Sequence, residues 1–211
     1  GRVKARHVHA NRTLLAIQTY PTYGALDVEG LQKWFLDTVP ELNHRDAIRR
    51  ISITTHGAAF CGIDQEGLVL PPIDYEWDGY GELANRHFEE VDRYADTGSP
   101  ILPLGLNASL QLHWLIEHQS DACSRVKWWL PYAQYWAWWL SGEIASERSS
   151  LGCHTGLWRP YDDVPTHWAM RKGLSDKFPP LRWAWEELGE LRPDLAKRLG
   201  ISRDVVVHVG S

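Results

Sequence analysis

Cysteine is scarce in this chain: Cys61, Cys123 and Cys153 are the three in 211 residues. An odd number with no CxxC spacing supports neither a disulfide framework nor a structural zinc site. A reducing cytoplasm is the compartment this usage predicts. Methionine occurs once, and the chain opens on Gly1-Arg2-Val3, which suggests an internal starting point or a cleaved tag. No apolar run approaches the roughly 18 residues of a membrane helix, and no leader-like segment is present, so no membrane partner is expected. Basic residues are in deficit, with 22 Lys and Arg against 27 Asp and Glu. A nucleic-acid partner held by a basic surface is therefore not expected. GxGxxG, GxxxxGK[ST], GxSxG and HExxH are all missing, which sets aside the enzyme classes built on them. What is present is core-forming material, 44% hydrophobic residues against 23% charged, in a length that fits one domain rather than two.

The order of elements predicts an α/β sheet. Arg12 to Tyr20 reads as a strand followed by a Pro21 and Gly24 turn. Asp27 is placed to cap a helix whose apolar face is Val28, Leu31, Trp34 and Phe35, with Pro40 closing it. Ala47 to Thr55 alternates as a strand, with Ile51 and Ile53 on one face. Ala59 to Ile63 and Leu68 to Leu70, joined by Asp64-Gln65-Glu66-Gly67, form a hairpin pattern that Pro71-Pro72 stops. Helices are expected after Asn107 and Ser120, over Tyr132 to Leu140, near Leu181 to Leu191 and over Leu195 to Leu199. A strand over Val205 to Val209 follows. Strands interleaved with helices point to a sheet with helices packed against it.

Candidate chemistry is concentrated in few places. His113, Glu117 and His118 share a helix, but the i and i+4 positions face one way and i+5 turns away, so a solvated helix face accounts for them better than a metal site. His56 stands where a strand runs into Gly57, and ligands of α/β sheets gather at the carboxyl ends of strands. His154 lies in Leu151-Gly152-Cys153-His154-Thr155. Most of the tryptophans belong in a core, and a helix carrying Trp136, Trp138 and Trp139 must bury more than one face. The remainder are available to stack on a sugar ring, and Tyr75, Glu76 and Trp77 are a set of that kind.

A longer ordered string runs from Gly105-Leu106-Asn107-Ala108-Ser109-Leu110-Gln111-Leu112-His113-Trp114-Leu115 through Leu130-Pro131 and Gln134-Tyr135-Trp136. It closes on Ser150-Leu151-Gly152-Cys153-His154-Thr155-Gly156-Leu157-Trp158-Arg159-Pro160. The string resembles the FGGY family of carbohydrate kinases, which includes xylulose, ribulose, rhamnulose and glycerol kinases. The family's helix signature, hydrophobic-x-Trp-hydrophobic-x-acid/amide-polar, is matched by Leu112 to His118. Gln111 stands at its usual lysine and Ala108 at its usual small residue. Thr54-Thr55-His56-Gly57 resembles the strand end that contacts the sugar, and Tyr75-Glu76-Trp77 the substrate loop that follows. A subgroup's Gly-Cys-His-Thr-Asp-Leu-Trp string is similar to Gly152 to Trp158, with Gly156 in place of the aspartate.

The resemblance implies an actin-like, ribonuclease-H-like α/β domain, a mixed sheet with flanking helices. Residues 1–211 would be a single domain covering most of the family's N-terminal, sugar-binding half, with the nucleotide-binding half absent. It implies transfer of the ATP γ-phosphoryl group to a hydroxyl of a ketose or related sugar, with Mg²⁺ and a carboxylate to take the hydroxyl proton. His56, Gly57, Tyr75, Glu76, Asn107 and His154 are the expected sugar contacts. The family's Asp-x-Gly phosphate turn is missing, and its catalytic aspartate follows a strand like Val205 to Val209. The chain alone is therefore expected to have no catalytic residue, no metal ligand, no bound ATP or Mg²⁺ and no activity. A homodimer is one assembly its exposed apolar area would allow. The alternative of another class is a non-catalytic carbohydrate-binding module that stacks sugars on tryptophan.

Overall fold

A computed structural model describes residues 18–20 and 23–211. The strand expected from Arg12 lies outside these residues except for its end, Gln18–Tyr20 (β1), which pairs antiparallel with β2 (Tyr23–Ala25). Gly24 is thus in a strand, and Pro21 is outside the described residues. The first helix, α1 (Val28–Thr38), starts where Asp27 Oδ1 accepts from the Gly30 amide at 2.8 Å, satisfying one of the orphan donors of a helix start. Pro40 then confines the chain to a single 3₁₀ turn over Val39–Glu41.

The strand expected over Ala47 to Thr55 is shorter as a ladder, β3 (Arg50–Ile51), because Arg45–Ala47 is a 3₁₀ turn. The hairpin is as read: β4 (Phe60–Ile63) and β5 (Leu68–Leu70) flank a turn in which Asp64 Oδ1 accepts from the Glu66 and Gly67 amides at 2.8 and 3.0 Å. Four helices follow, α2 (Glu82–Glu90), α3 (Tyr94–Thr97), α4 (Ala108–His118) and α5 (Ser120–Arg125). β6 (Trp128–Pro131) then lies antiparallel to β4 and leads directly into α6 (Tyr132–Ser141). Gly142 ends α6 with φ 84°, a left-handed cap that glycine adopts without strain.

The remaining elements are β7 (Ser146–Glu147), α7 (Arg148–Gly152), β8 (Trp158–Arg159), β9 (Val164–Pro165), α8 (His167–Arg171), β10 (Leu181–Arg182), β11 (Glu187–Glu190), α9 (Pro193–Leu199) and β12 (Val206–His208). The helix expected over Leu181 to Leu191 is therefore two strands. The Glu186 carboxylate accepts from the Trp183 amide and from Arg182 Nε, folding the stretch between them into a turn. Leu188 is buried while its neighbour Glu187 is exposed, an alternation that suits a strand.

Two three-stranded sheets carry the fold. One is antiparallel, in the order β5-β4-β6; the other is mixed, in the order β11-β12-β3, with β12 antiparallel to β11 and parallel to β3. The core falls into three clusters: Leu110, Trp114, Trp129 and Trp168 in the largest, Leu140, Leu199, Val205 and Val207 in the second, and Leu31, Ile63, Leu130 and Tyr135 in the third. Of the tryptophans on α6, Trp139 packs with the cluster of Leu140 and Val207 and Trp138 with that of Leu31 and Tyr135, so the helix buries aromatic surface on more than one side.

Candidate functional site

His56 sits just beyond β3, where the chain runs beside its own last residues: Ser211 donates to Ile53 O at 3.0 Å and Thr55 donates to Ser211 O at 3.2 Å. The exposed imidazole is flanked by Tyr75, with ring centroids 5.2 Å apart, and Tyr132, at 5.5 Å. Ala58 has φ 52°, so the backbone doubles back sharply after Gly57 into β4. A non-glycine residue in this conformation persists only where its surroundings hold it.

Gln111 does much of that holding. Its buried Nε2 donates to Ala58 O at 2.5 Å and to Gly105 O at 2.7 Å, and Gly105 in turn donates to Tyr75 O at 2.9 Å. One side-chain amide on α4 thereby fixes both the His56 turn and the Tyr75 loop. A β-carbon at Gly105 would lie 2.6 Å from Tyr80 Oη and 3.1 Å from Tyr75 Cα, so the approach requires glycine.

His154 arrives from another loop and meets the same place. Its Nε2 lies 3.7 Å from where a β-carbon on Gly57 would stand, and its Nδ1 is 3.0 Å from Cys153 Sγ. Its backbone is also left-handed, φ 41°, and it is held by Asn107, whose Nδ2 donates to His154 O at 2.8 Å and to Pro100 O at 3.0 Å. Asn107 Oδ1 accepts from the Leu102 amide at 2.8 Å. With both donors and the oxygen engaged in a buried site, the Asn107 side chain makes no capping bond to α4 and ties the His154 loop to Pro100 and Leu102.

His56, Gly57, Tyr75 and His154 are thus brought together. Glu76 is exposed next to Tyr75, on a turn whose amide is held by Asp74 Oδ1 at 2.8 Å; among the described residues no hydrogen bond joins its carboxylate to either histidine. Trp77 leaves the set, because its ring packs against Tyr80 and Trp114 at 4.8 and 5.0 Å. The recess lined by Thr55, His56, Gly57, Tyr132, Ser150 and Ser211 holds about 30 Å³, room for a water molecule and not for a sugar. His56 and Tyr132 also border a wider recess of about 260 Å³, lined by Trp34, Phe35, Thr55 and Trp136.

The solvated face expected for His113, Glu117 and His118 holds for the last two, which are exposed, and fails for His113. His113 is fully buried, with Nδ1 3.1 Å from His87 Nδ1 and Nε2 2.9 Å from Lys172 Nζ, and His118 stacks on Trp114 instead. A cation at His113 Nε2 would meet the Lys172 ammonium, and among the described residues no three His, Cys, Asp or Glu side chains converge as a metal-binding group. Gly156, where the family-like string has aspartate, has φ 71°, and a β-carbon there would come within 2.6 Å of Ser109 Oγ. Sequence reasoning missed Gln111 as an organiser of the site, although its place at the signature's lysine was the available signal.

The profile of the FGGY family of carbohydrate kinases, N-terminal domain, matches residues 37–211. An L-fuculokinase of Haemophilus influenzae is 26% identical, with an alignment that covers 100% of this chain and 47% of the relative. For a xylulose kinase of Staphylococcus epidermidis the identity is 25% and the coverage 95% and 41%. The crystal structure of a carbohydrate kinase from Novosphingobium aromaticivorans superimposes with a TM-score of 0.85 at 36% identity, over 91% of this chain and 41% of its own. A ligand-bound xylulose kinase from Lactobacillus acidophilus gives 0.74 at 17% identity, over 92% and 41%. The chain therefore spans less than half the length of these relatives. The neighbours bear out the expected actin-like, ribonuclease-H-like α/β class with its mixed sheet. With the family profile running from within α1 to the last residue, the chain belongs to the FGGY family of carbohydrate kinases, in the part that forms their N-terminal domain.

Proposed function

We propose that this chain is the sugar-binding half of an ATP-dependent kinase that phosphorylates a hydroxyl of a ketose or related sugar, and that it is inactive alone. The observation that carries this reading is the convergence of His56, Gly57, Tyr75 and His154 at the end of β3, reached from three separate loops. In this reading His56, His154 and Glu76 take the sugar hydroxyls, Tyr75 packs on its carbon face, Gly57 leaves room for it, and Asn107 acts through the His154 backbone. The relatives named as L-fuculokinase and xylulose kinase support a small sugar as substrate. ATP with Mg²⁺ is the donor the reaction requires, and it would be held by residues beyond those described. The three cysteines are free, which suits a cytoplasmic enzyme.

The carbohydrate-binding module is the weaker reading, since it needs a row of exposed aromatics, and among the described tryptophans only Trp183 and Trp185 are exposed. The test is ADP release by the full-length protein across ketopentoses, deoxyketoses and polyols. Sugar-stimulated turnover is expected, and its absence across the panel overturns the reading. His56→Ala is expected to raise the KM for sugar by at least about tenfold, the loss of a hydrogen bond to a buried ligand group, with the KM for ATP little changed. An unchanged sugar KM removes His56 from the site. Self-association, including a homodimer, is read by size-exclusion chromatography of this chain against the full-length protein.

A further inference from the structure

The two imidazoles of the site are tied to partners of opposite kind. At His56, Nδ1 lies 3.0 Å from Gly57 O. A carbonyl only accepts, so this nitrogen carries the ring proton and Nε2 is left as an acceptor. At His154, Nδ1 lies 3.0 Å from Cys153 Sγ. An imidazole nitrogen accepts well and sulfur accepts weakly, so the thiol donates to Nδ1. The proton of the His154 ring then stands on Nε2, which becomes a donor. Among the described residues no hydrogen-bond partner occupies Nε2 of either ring.

The backbone brings the thiol and the imidazole together. Cys153 follows α7 directly, its amide donating to Ser149 O at 2.8 Å. Neighbouring side chains of an extended chain point to opposite sides. The left-handed backbone of His154, φ 41°, breaks that alternation and lets Sγ and Nδ1 meet, and the bond from Asn107 Nδ2 to His154 O holds it in place. The Nε2 and Cε1 edge of the ring is thereby turned toward Gly57, 3.7 and 3.8 Å from where a β-carbon would stand. Gly57 is also the residue whose carbonyl takes the His56 proton. One glycine is thus the meeting point of an accepting imidazole and a donating one.

We propose that Cys153 is a positioning residue for sugar binding, whose thiol fixes His154 as a hydrogen-bond donor at Nε2, opposite in sense to His56. The proposal rests on the sugar-binding reading above. The two rings then select different oxygens. His56 Nε2 takes a hydroxyl that donates, while His154 Nε2 serves an oxygen that needs no hydrogen, a hydroxyl or the carbonyl of a ketose. Nitrogen-15 NMR of the full-length protein with labelled histidine reads each ring nitrogen, the resonances being assigned with His56→Gln and His154→Gln. The proton is expected on Nε2 of His154 and on Nδ1 of His56. Cys153→Ala is expected to give a mixture of His154 tautomers. It should also raise the KM for the most active sugar of the ketopentose, deoxyketose and polyol panel by about three- to tenfold, with kcat and the KM for ATP within about twofold. Cys153→Ser, whose hydroxyl can donate to Nδ1 in the same way, is expected to restore both the tautomer and the sugar KM. A wild-type His154 protonated at Nδ1, or at both nitrogens as in a thiolate and imidazolium pair, overturns the proposal. So does Cys153→Ala with either the tautomer or the sugar KM unchanged, or a serine variant that rescues neither. Each of these results leaves the sugar-binding reading standing. Absence of sugar-stimulated turnover across the panel overturns both.

Discussion

At Gln111 a single buried amide reaches two carbonyls on different loops, Ala58 O and Gly105 O. Gln111→Leu would leave both acceptors without that donor, a loss of about 1–3 kcal/mol. Urea unfolding should show it as a lower midpoint with an unchanged slope. Because the same amide holds the His56 turn and the Tyr75 loop, the KM for sugar should rise as well. Gly156 is constrained differently, by φ 71° and by Ser109 Oγ, 2.6 Å from where a β-carbon would stand. Gly156→Ala is expected to cost more than about 1 kcal/mol, and adding Ser109→Ala should recover only part of it, since the backbone penalty remains; thermal unfolding of the single and double variants checks this. His56 and His154 were legible in the sequence because one ends an alternating segment and the other lies in a recognisable string. The hydrogen bonds of Asn107 were not, because its partners Pro100, Leu102 and His154 are set by how the loops meet, and no local spacing encodes that.

Among the elements, those specified by their own residues were the legible ones. Asp27 before α1, the Asp64 to Gly67 turn and Gly142 after α6 each solve a backbone problem with a neighbouring side chain or a permissive φ. Asp27→Ala should accordingly destabilise the protein by about 1 kcal/mol, and Asp27→Asn or Asp27→Ser should recover most of that by denaturant titration. The stretch over Leu181 to Leu191 shows the opposite case. Its leucines and charged residues suit a helix, yet β10 pairs with β7 and β11 pairs with β12. Those partners lie elsewhere in the chain, so tertiary pairing overrides a weak local preference.

For the whole molecule, the buried histidine pair sets an acid limit. His87 Nδ1 meets His113 Nδ1 at 3.1 Å, and His87 Nε2 meets Ser109 Oγ at 2.9 Å. Burial first, then His113 and Lys172, push the His87 pKa down from 6.5 to about 3. His113 is lowered too, burial leading and Lys172 next, against the opposing pull of Glu117 and Glu90. Unfolded, both imidazoles titrate near their ordinary value, so below about pH 6.5 the unfolded chain binds more protons and folding weakens by about 1.4 kcal/mol per pH unit for each proton. For His87 that loss continues down to about pH 3. Asp92 acts in the same direction at lower pH: burial raises its pKa, but hydrogen bonds from the Trp168 and His167 amides and from His167 Nδ1 outweigh that and lower it, so its contribution disappears as it protonates. Urea midpoints should be level above pH 7 and fall steadily toward pH 5, with His87→Gln removing about one proton from the slope. The parallel match of Arg50 with Val206 and Ile51 with Val207 has a kinetic counterpart. It closes the long stretch between Arg50 and Val206 into one loop, and contacts so distant along the polypeptide form slowly. Until they form, the edges of β3 and β12 stay open to neighbouring molecules, so slower synthesis at reduced temperature should favour soluble recovery over inclusion bodies.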